Sequence, residues 1–243
     1  MKICIDPGHN ASGVDTGAVG AIAKEQDITF GVADRLANIL IQNGQEVIMT
    51  RESLESNVAG ATVSSSLQNR ADISNAFGAN VFVSIHCNAG GGEGVETYII
   101  ARGGQAEQIA RRVQDSMVQL GRRDRGVKVA NLAVLRLTDA PAILVEIGFI
   151  DNPAEERWMI DHEEDIAVAI AAGLGFHKID EWEGNDKMIY NYIDDNMPNW
   201  ARPTIQKLVD KGYLRGNDNG ELELTLDMLR MFVVNDRAGV YGD

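Results

Sequence analysis

Three short apolar runs in this chain end abruptly at residues that can bind a metal ion or transfer a proton. Residues 3–8 lead to His9, residues 81–85 lead to His86, and residues 142–145 lead to Glu146. Apolar runs of this length are typical of buried strands. Because functional groups of α/β proteins gather at the carboxyl ends of strands, the pattern predicts an α/β sheet with a site at one edge.

Strand-like and helix-like segments alternate through the first three quarters of the chain. Apolar periodicity predicts helices over residues 26–40, 67–76, 105–120, 153–161 and 163–176. It predicts strands over residues 2–6, 46–50, 81–85, 95–101 and 142–146, with short strands within 127–137. This order predicts an α/β fold with a mostly parallel or mixed twisted sheet flanked by helices.

A polar stretch near residues 178–187 interrupts this alternation. We therefore predict one domain over residues 1–178, a linker over 179–187 and a small, mainly helical C-terminal domain over 188–243. Two helical patterns, 200–211 and 225–234, flank the turn-rich segment 216–220. A segment of this size is near the lower limit for independent folding, so its stability can depend on a partner surface.

Composition excludes several classes of function. The net charge of -14 argues against a nucleic-acid partner, which would require a surplus of Lys and Arg. The two cysteines, Cys4 and Cys87, predict buried thiols rather than a disulfide framework. No apolar run reaches the length of a membrane span, and none before the first strand resembles a signal peptide. We expect synthesis in the cytoplasm, with release by another agent if the substrate lies outside the membrane.

The residues at the predicted strand ends suggest metal-assisted hydrolysis. The Pro7-Gly8 turn would bring His9 out above the sheet edge, where His86 also ends a strand. Two imidazoles and a carboxylate can hold one zinc ion and leave a position for water, while a second carboxylate serves as base. Taken alone, Glu25 is explained as a charge at a helix N-terminus. Glu146 follows apolar residues, where a carboxylate is costly unless paired or metal-associated, and burial would raise its pKa.

Several motifs in register resemble the type-3 family of zinc-dependent N-acetylmuramoyl-L-alanine amidases. The matching stretches are residues 5–9, 17–25, 84–89, 134–136 and 141–150, and the resemblance spans about residues 2–177. It implies that His9, Glu25 and His86 bind one Zn²⁺ and that Glu146 is the catalytic glutamate. The usual glycine pair after the first histidine is replaced by Asn10-Ala11, and Cys87 stands where alanine is common, but no ligand is lost.

The resemblance also implies a reaction, which is hydrolysis of the amide bond between N-acetylmuramic acid and the L-alanine of the peptidoglycan stem peptide. Asn88 and Arg136 are candidates for substrate contact because both lie close to the predicted catalytic strands. The basic residues Arg111, Arg112, Arg122, Arg123, Arg125 and Lys128 could contact stem-peptide carboxylates, although a solvated helix face and loop explains them more simply.

The C-terminal segment resembles short tails of clostridial phage and prophage endolysins, through residues 197–201 and 229–237. The resemblance implies an endolysin that a holin releases to the wall, with an autolysin or a spore-mother-cell lytic amidase as the alternative. The tail could bind the wall or form a homodimer. Trp200, Tyr213 and Tyr241 would suit saccharide stacking, although core aromatics are commoner.

Two other functions use the same residues. A zinc peptidase or deacetylase could have this ligand set, because metal geometry does not choose the acyl group. A binding module could retain zinc without turnover. The costly carboxylate of Glu146 argues against a module without catalysis.

Overall fold

The computed structural model describes residues 1–179, 189–194, 196–237 and 239–242. The chain divides into two compact units, Met1–Ile179 and Asp180–Asp243. Apart from Ile179, the proposed linker lies outside the described residues.

The first unit is built on one six-stranded sheet. Its strands are β1 (Lys2–Pro7), β2 (Glu46–Met49), β3 (Val81–Asn88), β4 (Val95–Ile99), β5 (Asp124–Val129) and β6 (Ala142–Phe149). They are arranged in the order β2-β1-β3-β6-β4-β5. All neighbouring pairs are parallel except β4 and β6, which are antiparallel. The predicted mixed sheet is confirmed.

Six helices accompany this sheet: α1 (Glu25–Gln42), α2 (Val63–Phe77), α3 (Gln105–Val118), α4 (Ala133–Leu137), α5 (Pro153–Asp161) and α6 (Glu163–Leu174). On one face, α1 packs on β1, β2 and β3, α3 packs on β4, β5 and β6, and α6 packs against both helices. On the other face, α2 lies over β1 and α4 over β6. Both faces are therefore covered at the β1–β3–β6 end.

The alternation of side chains along the strands separates two apolar clusters. Ile3, Ile5 and Val83 point into the larger cluster with α1, α3 and α6. Cys4 and Phe82 point into the smaller cluster beneath α2 and α4. Farther along the strands, this second face changes from apolar to polar side chains, and the candidate site begins there.

The prediction of short strands within residues 127–137 was right for its first part, where β5 ends at Val129, and wrong for its second half. β5 begins earlier, at Asp124, and Ala133–Leu137 forms α4. Val134 and Leu135 are buried in the smaller apolar cluster. A short, mostly apolar segment does not distinguish a helical turn from a strand by periodicity, and packing on the sheet favours the helix here.

The second unit has its own small core. Its helices are α7 (Arg202–Asp210) and α8 (Leu226–Arg237). Ile205 and Leu208 from α7 pack with Leu229 and Val233 from α8 in a buried cluster. Among the residues that the structure describes, no helix is both long enough and apolar enough to cross a membrane.

Candidate active site

Three ionisable side chains form a row across the carboxyl end of the sheet. His86 in β3 pairs in register with Glu146 in β6, and Glu146 pairs with Glu96 in β4. Residues directly opposite one another in a sheet project to the same face. The row therefore places the second predicted ligand beside the predicted catalytic glutamate.

His9 reaches this row from the turn that ends β1. The Gly8 N–H donates to the Ile85 carbonyl at 2.9 Å, so the turn is fastened to β3. A Cβ atom on Gly8 would lie 2.5 Å from the His86 ring, which explains the need for glycine. His9 itself has φ 65°, a left-handed conformation uncommon outside glycine. Backbone strain of this kind is often found at functional sites.

Glu25 is the first residue of α1, and its side chain points to the two histidines. Its Oε1 atom lies 3.2 Å from His9 Nε2 and 3.1 Å from His86 Nδ1. The backbone N–H of Cys87 donates to Oε1 at 2.9 Å, and that of Ala18 donates to Oε2 at 2.9 Å. The carboxylate is 4% exposed, so these contacts hold it in one position.

The His9–Glu25–His86 cluster has the donors and spacing of a zinc site. One ligand atom from each side chain lies within 4.8 Å of the others. A tetrahedral zinc ion with bonds of about 2.0–2.2 Å separates its ligand atoms by roughly 3.3–3.5 Å. The two nitrogen–oxygen distances of 3.1 and 3.2 Å are close to that value. The residues therefore fit the metal that the sequence predicts.

The electrostatics distinguish Glu25 from Glu146. Burial opposes ionisation of Glu25, but His86 and His9 hold its pKa well below the usual range. Burial raises the pKa of Glu146 to about 7; the charge of His86 opposes this rise, and that of Glu25 adds to it. The buried Oε2 atom of Glu146 has no hydrogen-bond partner among the described residues. Glu146 thus places at this edge a carboxyl group that can both accept and release a proton near neutral pH.

A buried ionic network supports the loop that carries His9. Arg70 in α2 donates to Asp6 Oδ1 at 2.8 Å and to the Pro7 carbonyl at 2.9 Å. It also donates to Asn10 Oδ1 at 2.9 Å and to Asp15 Oδ2 at 3.3 Å. Asp15 Oδ1 in turn lies 3.4 Å from His9 Nδ1.

Asp15, which Arg70 holds in place, influences the pKa of His9. Burial lowers the pKa of His9, but Asp15 and Glu25 outweigh it and raise the value to about 9. The sequence analysis assigned no role to Asp6, Asp15 or Arg70. The available signal was an aspartate inside an apolar strand, which requires a buried partner.

Asn88 does lie near the site, at the end of β3. Its Nδ2 atom donates to Glu96 Oε1 at 2.9 Å, and Tyr98 donates to the same oxygen at 2.6 Å. Arg125 donates to Glu96 Oε2 at 2.6 Å, and Lys128 contacts that oxygen as well. The sequence analysis assigned no role to Glu96, and the structure gives it four partners.

The other predicted contact residue, Arg136, lies on the exposed side of α4. Asn131, five residues earlier in the chain, accepts its hydrogen bonds, at 2.7 Å through Oδ1. Among the described residues, the side chains of Arg136 and Asn88 have different hydrogen-bond partners: Asn131 for the first, and Glu96 and Ala89 for the second. The other two histidines differ in their surroundings, because His177 is exposed whereas His162 is half-buried and stacks on Trp158 at 5.1 Å.

An α/β domain with a His–Glu–His donor set and a separate buried carboxylate has the features of a metal-dependent hydrolase. The chain belongs to the Amidase_3 family, described as N-acetylmuramoyl-L-alanine amidase, whose model matches residues 3–175. This confirms the family that the motifs predicted.

Individual relatives agree with this membership. The chain is 42% identical over 154 residues to the N-acetylmuramoyl-L-alanine amidase CwlM of Bacillus licheniformis, covering 63% of this chain and 58% of that protein. It is 35% identical over 191 residues to the endolysin of Bacillus phage SPP1, covering 72% and 67%. The crystal structure of an N-acetylmuramoyl-L-alanine amidase from Clostridium difficile 630 superimposes with a TM-score of 0.63 at 32% identity, covering 71% and 94%. The chain thus spans less than two thirds of CwlM.

Proposed function

We propose that this chain hydrolyses the amide bond between N-acetylmuramic acid and the L-alanine of peptidoglycan stem peptides. The observation that supports this most strongly is the row of His86 and Glu146 beside the donors of His9 and Glu25. It combines a metal-type ligand set with a proton-transfer group at one open sheet edge. Membership of the amidase family supplies the bond that is cut.

His9, Glu25 and His86 would hold one zinc ion. When bound there, zinc supplies Lewis-acid activation of water and of the scissile carbonyl. The protein holds the ligand atoms in fixed positions. The backbone N–H groups of Cys87 and Ala18 orient the Glu25 carboxylate, and Asp15 lies 3.4 Å from His9 Nδ1. Such outer contacts orient metal ligands and tune their basicity.

Glu146 would act as the proton carrier. With a pKa near 7, its carboxylate can accept a proton from the attacking water at Oε2 and later donate it to the departing L-alanine nitrogen. Oε2 is buried and has no hydrogen-bond partner among the described residues, so no protein donor competes for its lone pairs. Asn88 and Arg136 remain proposed substrate contacts.

Product analysis tests this function against its alternative, a zinc peptidase. Purified walls are digested with wild-type protein, with and without a chelator, and the products are analysed by mass spectrometry. A free amino group on L-alanine, lost after chelation and restored by Zn²⁺, is the expected result. Cleavage between two amino acids would indicate the peptidase, and unchanged activity after chelation would refute the role of zinc.

We also propose that the protein serves as a phage or prophage endolysin that acts on the wall after holin-dependent release. The relative from Bacillus phage SPP1, named an endolysin, supports this role. An autolytic or sporulation role is the alternative. Expression with and without a holin in a susceptible host distinguishes them, because holin-dependent lysis is expected only for the endolysin.

The C-terminal unit is proposed to bind the wall or to form a homodimer. Met228, Met231 and Val234 form an exposed stripe at helical spacing on α8, away from buried Leu229 and Val233. Tyr213 is exposed, as is Trp200, so these two aromatics are not core residues. Light scattering of wild type and Met231→Asp tests association: a dimer that becomes a monomer supports it, and a wild-type monomer refutes it.

A further inference from the structure

Beyond the catalytic row, the polar face of the sheet continues onto β4 and β5 as a shelf with few covering elements. The helices on this face pack over β1 and β6, whereas α3 covers β4 and β5 from the opposite face. Tyr98 in β4 pairs in register with Lys128 in β5. Residues on this shelf are therefore accessible from the side on which Glu146 lies.

Glu96 fixes two cations on the shelf. Its carboxylate is 1% exposed, and each of its oxygens has two partners: Asn88 and Tyr98 at Oε1, Arg125 and Lys128 at Oε2. Burial opposes ionisation, but Lys128, Tyr98 and Arg125 lower the pKa of Glu96 to about 2. The carboxylate is thus fully ionised and fully bonded at neutral pH.

One negative charge cannot neutralise two positive charges. The Arg125 and Lys128 side chains are 29% and 36% exposed, so their surplus charge faces solvent. Arg125 also lies over the Phe149 ring at 4.8 Å, which restrains its guanidinium. In a chain with a net charge of -14, this preorganised positive surplus beside Glu146 is suited to an anionic ligand.

The remaining members of the basic group have different surroundings. Arg122 pairs with buried Glu155, and Arg123 with exposed Glu93. Arg111 shares Glu107 on α3 with Arg102, and Arg112 donates to the Gly173 carbonyl. The Arg102 and Arg111 side chains are 49% and 62% exposed and lie on or next to α3, which covers the sheet from the face opposite Glu146. The structure therefore separates Arg125 and Lys128 from the solvated cations with which sequence reasoning grouped them.

We propose that Arg125 and Lys128, held by Glu96, form a subsite for a carboxylate of the stem peptide beyond L-alanine. The proposal rests on the proposed amidase function and assigns its substrate preference. Because Glu96 pairs in register with Glu146, a peptide bound along β4 and β5 would extend away from the scissile bond. A free carboxylate would satisfy both cations, whereas a carboxamide would leave their surplus charge unmatched.

Two synthetic probes test the subsite. Each consists of N-acetylmuramic acid joined to a dipeptide that begins with L-alanine, and the second residue has either a free α-carboxylate or the matching carboxamide. With zinc-loaded wild type we expect KM to be about tenfold lower for the carboxylate, and this preference should shrink at high salt. Lys128→Gln should bring the ratio of the two KM values close to one, while Lys128→Arg should retain most of the preference. Arg123→Gln is the matched control and should behave as wild type.

Binding measured by calorimetry separates failure of the subsite from failure of the proposed function. Discrimination between the two probes in binding, without hydrolysis of either, would refute the amidase function but support the subsite. Hydrolysis of both probes with equal KM values, or an equal rise of both in Lys128→Gln, would overturn the subsite and leave the amidase function intact. Absence of both binding and hydrolysis would overturn both.

Discussion

Replacing Arg70 with methionine should destabilise the first unit and weaken its metal site together. The Arg70 side chain is 1% exposed, and the Asp6 carboxylate beside it is 0% exposed. Methionine fills similar space but leaves Asp6 as a buried charge without a cation. It also removes the donor that joins the acceptors around the His9 turn, which are Pro7, Asn10 and Asp15.

The size of the effect follows from the uncompensated charge. Removing one partner of a buried ion pair costs about 3–5 kcal/mol. Thr50 and Ser84 still donate to Asp6, at 2.6 and 2.7 Å, so we expect the lower end of this range. A loss of about 3 kcal/mol in a domain of this size lowers Tm by roughly 6–12 °C.

Urea and thermal unfolding of the wild type and Arg70→Met measure this loss, and titration with Zn²⁺ measures affinity. We expect zinc affinity to fall by about tenfold or more because the support behind a ligand is removed. Arg35→Met is the matched control, since its partly exposed pair with Glu163 should contribute less than about 1 kcal/mol. Adding Asp6→Asn to Arg70→Met should recover part of the stability.

A loss below about 1 kcal/mol together with wild-type zinc affinity would refute this reasoning. It would mean that the His9 turn keeps its position without the buried ionic network.

Three further predictions concern the row itself. Glu146→Gln should lower kcat by about 10²–10⁴ while zinc content stays at that of wild type; comparable turnover would show that another group transfers the proton. His86→Ala should lose bound zinc on dialysis, measured by elemental analysis, whereas the control His162→Ala should keep it because His162 contacts Trp158 instead. Glu96→Gln should change acid stability: the folded pKa lies below the ordinary value of 4.5, at about 2, so the contribution of Glu96 is present above pH 4.5 and lost as pH falls towards 2. The variant should therefore lose stability less steeply than wild type over that interval, and parallel unfolding curves against pH would contradict the assignment.

The sequence alone was sufficient for the main strands of the sheet and for the candidate residues His9, His86 and Glu146 at their ends. Buried strands are recognisable because apolar runs such as 81–85 are short and end at polar residues, and both properties are local. The motifs around His9 and His86 are local as well. The same reasoning failed at Ala133–Leu137, where contact with Phe82 and Leu144, distant in sequence, decides the conformation.

Only the tertiary structure decided which charged side chains interact with one another. Glu25 taken alone was a charge at a helix end, and the family resemblance made it a ligand candidate; the tertiary structure supplies the physical reason, because α1 begins beside the ends of β1 and β3. Likewise, Arg125 and Lys128 were two of six basic residues until strand register placed Glu96 between them and Glu146. Residue types are properties of the sequence, whereas burial and charge pairing depend on distances across the sheet, which exist only after folding.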